Sequence, residues 1–293
     1  CGKKAPEQQD NLSVTDSSAQ PSVGTPVKAK VEPRVIIPTP RIQAAGDAFW
    51  DGNKTEAVQL LKAELAVEEA KPELNWEQLS CLHDELGFYL GINGIAQLDE
   101  ALEHYQKSLA IQIKQLGPDH PALADSYEDT AMAHYTIREF DPALKLLQKA
   151  LSIRLKQQEV NPLGLANTYG LIGGVHSEKG KHGKALELTQ KGLMIQLKHL
   201  GPRHPEVAAF YAAMGGIHAR KDEHDKALLH FQKALAIYLK QTNPEVHAIE
   251  TAALYLGMGE MHARKGEHDK ALLQFQKALA IYLKQTNPEV HAI

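Results

Sequence analysis

The stretch HARKDEHDKALLHFQKALAIYLKQTNPEVHAI, residues 218–249, returns 44 residues later at 262–293, with Gly266 in place of Asp222 and Gln274 in place of His230. Thirty of the 32 positions are identical. A duplication that close marks a modular chain, in which a whole structural unit is added without spoiling its neighbours.

Working outward from the twin copies, the same unit recurs in weaker form. The alanine of each Ala-Leu pair falls at Ala101, Ala143, Ala185, Ala227 and Ala271, in steps of 42, 42, 42 and 44. Each opens an apolar series at i, i+3/i+4 and i+7/i+8, as in Ala143, Leu146, Leu147, Ala150 and Leu151, which is the period of an amphipathic helix. Upstream of each lies a second helical series carrying Tyr127, Tyr169, Tyr211 and Tyr255. Four residues further on come Ala131, Gly173, Gly215 and Gly259, small enough to let two helices approach closely. Gly117-Pro118, Asn161-Pro162, Gly201-Pro202, Asn243-Pro244 and Asn287-Pro288 break the units, and proline there is expected to stop one helix and start the next.

This helix-turn-helix unit resembles the tetratricopeptide repeat. Residues 211–234 supply Tyr211, Gly215, His218, His224, Ala227, Phe231 and Ala234 at the motif positions, and residues 255–278 supply Tyr255, Gly259, His262, His268, Ala271, Phe275 and Ala278. The period of about 42 and the linkers LGPDHP (116–121) and LGPRHP (200–205) resemble the kinesin-light-chain-like subgroup. A weaker unit with Gly46, Trp50 and Ala57 opens the array, and the unit at 83–109 carries about two extra turn residues near Gly91–Gly94. The resemblance implies an all-α, right-handed superhelical solenoid over residues 41–293, about six hairpins long, whose first helices line a concave groove for extended peptides or partner helices. Carried over, the groove positions are Asp125, Glu128, Met132 and Tyr135, then Asn167, Gly170, Gly174 and Glu178. Ala209, Ala212, Gly216 and Arg220 follow, and last Ala253, Leu256, Glu260 and Arg264. Asp125, Glu128, Asn167, Arg220 and Arg264 are the expected ligand contacts, since arginine grips a carboxylate with two parallel hydrogen bonds.

Composition limits the alternatives. The 293 residues carry a formal charge of −4 and no long basic run, which argues against a nucleic-acid footprint. No apolar run is long enough to span a bilayer. Two cysteines, Cys1 and Cys81, exclude a disulfide scaffold, and Cys81 sits in an apolar helical pattern. Residues 1–40 form an expected tether, with Pro6, Pro21, Pro26, Pro33, Pro38 and Pro40, no aromatic residue, and one short apolar piece at Val35-Ile36-Ile37. Cys1-Gly2-Lys3-Lys4 ahead of such a tail resembles a mature bacterial lipoprotein. That implies lipidation at Cys1 and, with Gly2 following, outer-membrane retention.

The histidines form columns at His134, His176, His218 and His262, and at His182, His224 and His268. Members of one column belong to successive repeats, separated by at least a helix–helix distance of about 8–10 Å, too far to share a metal ion whose ligands lie about 2 Å away. Packing and hydrogen bonding are the expected roles. No nucleophile elbow, Walker loop or HExxH occurs, so no catalysis, metal or cofactor is expected. The function expected is a protein-interaction scaffold. The alternative is a subunit that assembles head-to-tail through the face of its last helix (Leu272, Phe275, Leu279, Tyr282), which the twin copy buries under the next repeat.

Overall fold

The computed structural model describes residues 39–157 and 161–286, and the expected tether up to residue 38 lies outside them. Twelve α-helices fill the described residues without a strand: α1 Pro40–Trp50, α2 Lys54–Glu69, α3 Trp76–Asn93, α4 Leu98–Leu116, α5 Leu123–Thr136 and α6 Phe140–Lys156. They continue as α7 Pro162–Glu178, α8 His182–Leu200, α9 Pro205–Arg220, α10 His224–Tyr238, α11 Ala248–Arg264 and α12 His268–Thr286. Each odd helix packs along the even helix that follows it, and each even helix packs on the next odd one. Six hairpins therefore stack as an all-α solenoid, the all-helical array the repeat pattern implied.

The helix boundaries follow from local chemistry. Asn161 caps α7 by accepting the Gly164 N–H at 3.0 Å, and Pro162 occupies the first turn, where its missing N–H costs nothing. Gly117 and Gly201, at φ 83° and 80°, end α4 and α8. Contrary to expectation, the proline of the break does not always open the next helix. After Gly117-Pro118 and Gly201-Pro202 the chain runs on to Leu123 and Pro205, and Asn243-Pro244 opens a 3-10 turn, Pro244–His247. The turns inside the hairpins need a left-handed residue. Asp222 takes φ 56° where the twin copy has Gly266 at 74°, so one of the two differences between the copies falls where only glycine is unstrained.

The interior is built from one recurring contact. A Cβ on Gly215 would lie 2.5 Å from the Phe231 ring, and one on Gly257 of the next hairpin 3.1 Å from the same ring. Phe231 is thus held between two backbones, one on each side. The alanines that fixed the register, Ala101 to Ala271, are all buried, three residues into their helices.

Successive first helices also touch one another, from α5 to α7, α7 to α9 and α9 to α11, whereas the second helices make no contact of that extent. The stack therefore curves with its first helices inside and its second helices outside.

The outer helices gather charge that is scattered in sequence. Lys107, Lys149, Lys191, Lys233 and Lys277 occupy one repeat position, six residues after the register alanine. Seven residues on, two helical turns and so the same side, stand Lys114, Lys156, Lys198, Lys240 and Lys284. Lys184, Lys226 and Lys270 precede the first column by the same interval, and every one of these side chains is exposed. Lys149, Lys233 and Lys277 lie over the rings of Tyr127, Tyr211 and Tyr255 at 5.3, 5.4 and 5.4 Å. The absence of a basic run in the sequence therefore did not mean the absence of a basic face.

Candidate binding groove

The inner face presents the expected groove positions, though most of its charges already face one another. Arg154 reaches inward from α6 and is buried, at 4% exposure. Its Nη2 lies 2.5 Å from Asp125 Oδ1, and its Nε lies 3.1 Å from Glu128 Oε1. The Thr168 hydroxyl donates to the same Glu128 oxygen from α7. Glu128 is itself only 5% exposed, and burial raises its pKa against the pull of Arg154. Asp125 and Glu128 are thus the anionic half of a cluster joining α5, α6 and α7, in which Glu128 is buried and Asp125 stays partly open to the inner face.

Towards the other end the pairing runs from one hairpin to the next. Arg220 donates to Glu178, 42 residues earlier, and the Tyr135 hydroxyl donates to the same carboxylate at 3.4 Å. Burial, then the Glu178 charge, pushes the Tyr135 hydroxyl up to about 12. Arg264 donates to Asp222 at 3.1 Å, again 42 residues back. Neither arginine is an idle clamp, and a ligand carboxylate would compete with Glu178 or Asp222. Asn167 is buried, and its side-chain oxygen has no hydrogen-bond partner among the described residues. Between α5, α7 and α9 a notch opens, lined by Tyr135, Gly174, Glu178, Gly216 and Arg220. Nothing lies within 4 Å of a Cβ placed on Gly174, so its floor is backbone.

Sequence reasoning missed Arg154 and Thr168. A signal existed: Arg154 replaces the Gln112, Gln196 and Tyr238 of neighbouring units, so the one cation in a buried column needed an anion.

Three members of the first histidine column hydrogen-bond as expected, whereas in the second the buried Nδ1 atoms of His182 and His224 have no hydrogen-bond partner among the described residues. His134, His218 and His262 bond Glu139, Glu223 and Glu267 at 2.7, 2.6 and 2.6 Å, tying each first helix to the turn before its second helix. His176 faces a turn with Lys181 at that position, and its ring is buried with neither nitrogen bonded among the described residues. A different pair lies outside both columns. His83 of α3 and His104 of α4 are buried with their Nδ1 atoms 2.8 Å apart. Neutral rings satisfy this contact with one N–H and one lone pair, whereas two imidazoliums would oppose their protons.

Burial, then the charges of His104 and Lys107, lowers the His83 pKa from 6.5 to about 4, and burial lowers that of His104 as well. With the folded value below the unfolded one, the unfolded chain takes up its proton first on acidification. The contribution of His83 is therefore complete above the unfolded value of 6.5 and is lost progressively as pH falls to about 4. Glu206, pushed up to about 7 by burial, has the opposite sign over part of that range. The effect is therefore read as a difference. Urea unfolding should show the gap between wild type and His83→Asn narrowing by on the order of 3 kcal/mol across the window. A gap independent of pH would contradict the assignment.

A curved stack of helical hairpins with a continuous inner face of paired charges and bare backbone defines a protein-interaction scaffold. From α4 to α10 the hairpins match the family model described as tetratricopeptide repeat, at residues 95–156 and 164–240. No curated relative matches the chain. Among solved structures it is similar to a putative kinesin light chain with nearly identical TPR-like repeats from Podosopora anserina. The TM-score is 0.57 at 23% identity, over 69% of this chain and 95% of that one. It is similar also to BtubC (BKLC) from P. vanneervenii, with TM-score 0.60 at 15% identity, over 85% and 93%. The apo form of RapI gives 0.64 at 15%, over 84% and 83%. At these identities the likeness is one of fold.

Proposed function

We propose that this chain is a non-catalytic scaffold that binds an extended segment of a partner protein along the inner face of α5, α7, α9 and α11, while Cys1, lipidated, holds it at a bacterial membrane. The carrying observation is the notch between Tyr135, Glu178 and Arg220, where open space over Gly174 and an ion pair between hairpins offer a partner polar groups on the inner face. Polar contacts there set register, and the half-buried Met132 and Leu256 supply apolar surface. Peptides selected from a displayed random library should lose at least about tenfold in affinity for Ala212→Arg, whose side chain would fill the inner face. Equal binding to that variant would refute the groove reading. For the anchor, which lies outside the described residues, Cys1→Ala should abolish palmitate labelling and membrane fractionation together. Labelling that survives would remove it.

A second reading is favoured by the twin helices. Leu228 is 7% exposed under α11, while its counterpart Leu272 is 56% exposed, and Phe275, Leu279 and Tyr282 are each more open than Phe231, Leu235 and Tyr238. Head-to-tail assembly would place the first hairpin of another copy on this face. Sedimentation should then show species that grow with concentration and vanish in Leu272→Asp/Leu279→Asp. A monomer throughout would exclude it.

A further inference from the structure

We infer that the outer face formed by α4, α6, α8, α10 and α12 is a docking surface for an anionic phospholipid bilayer. The observation is an arrangement rather than a net charge, since the chain as a whole is at −4. The lysine columns lie about 10 Å apart along each helix and recur on every second helix of the stack, which sets rows of cations along the outer face. On these five helices the acidic side chains concentrate in the first turn, where Asp141 bonds Lys179 and Asp225 bonds Lys265. Beyond it stand Glu103 and Glu187, paired with the column members Lys107 and Lys191 at 2.7 and 2.6 Å, and Lys226, Lys270 and Lys284 pair with Glu223, Glu267 and Glu245 at the ends of the helices.

Three features select a bilayer over other polyanions. First, apolar side chains stand among the cations. Met194, Leu229 and Leu273 are 64%, 50% and 49% exposed, each with a lysine three residues before it and another four after, on the same side of the helix. Such side chains gain from entering the headgroup region, while the lysine stems extend along them and keep their ammonium groups among phosphates. Second, every cation in the three columns is lysine, a point charge, with no arginine, the residue suited to bidentate reading of phosphates and base edges. Third, the surface is the outside of the curve, without a cleft to enclose a strand. The inference stands without Cys1, and with the outer face on lipid the inner face would stay open to a partner.

The test is co-sedimentation of the full chain, carrying no acyl group, with vesicles of phosphatidylcholine alone or mixed with phosphatidylglycerol. Binding is expected to the mixed vesicles only, and to weaken as salt rises. At about fivefold per lysine, Lys149→Gln/Lys191→Gln/Lys233→Gln should lose on the order of a hundredfold. Lys156→Gln/Lys198→Gln/Lys240→Gln should lose as much, which guards against a folding defect in either variant. Met194→Ser/Leu229→Ser, which changes no charge, should also weaken binding. Equal binding to both vesicle types, wild-type binding by both triple variants, or a serine variant that binds vesicles and duplex DNA as wild type does would each overturn the inference.

Discussion

Phe231→Ala is expected to cost about 3–5 kcal/mol, while the same change at Phe275, in a helix almost identical in sequence, should cost about half as much or less. The reason lies in the neighbours. Phe231 is 1% exposed, pressed against Gly215 of its own hairpin and Gly257 of the next. Phe275 meets Gly259 of its own hairpin but is only half-buried, because among the described residues no further hairpin covers α12. In a stack whose stability sums unit and interface contributions, one residue type then has two values set by position. Thermal unfolding of the two variants side by side is the check, and equal losses would mean that the interface with α11 contributes little.

Arg154→Met should destabilise by about 3–5 kcal/mol, because Glu128 would be left buried without its cation. Replacing both partners, Arg154→Met with Glu128→Leu, should recover most of that loss, since two apolar side chains need no mutual desolvation. The double-mutant cycle would thus give a strong coupling between α5 and α6. A single variant within about 0.5 kcal/mol of wild type would show that the cluster is solvated and belongs to the groove after all.

The fold was legible because its determinants are local and repeated. Ala-Leu pairs at a fixed interval gave the register, and Gly215 opposite Phe231 followed from a small residue and a large one at set places in the motif. The linkers were less legible. Asn243-Pro244 looks like Asn161-Pro162, yet it opens a 3-10 turn before α11, because the unit there is two residues longer and the surplus is absorbed ahead of the helix. At the groove, sequence placed the carried-over residues on the first helices but could not say which were already paired. Arg220 with Glu178 and Arg264 with Asp222 are contacts between hairpins, fixed by how far each unit turns relative to the last. That rotation is not written in any single repeat. The lysine face escaped for a related reason: lysines seven or forty-two residues apart do not form a run, and only stacking brings them side by side.

The account rests on a partner held by the inner helices. Hydrogen–deuterium exchange of the full chain with and without a library-selected peptide tests this most directly. Added protection in α5, α7 and α9, with α6, α8 and α10 unchanged, is the predicted result. Protection confined to the second helices would contradict it.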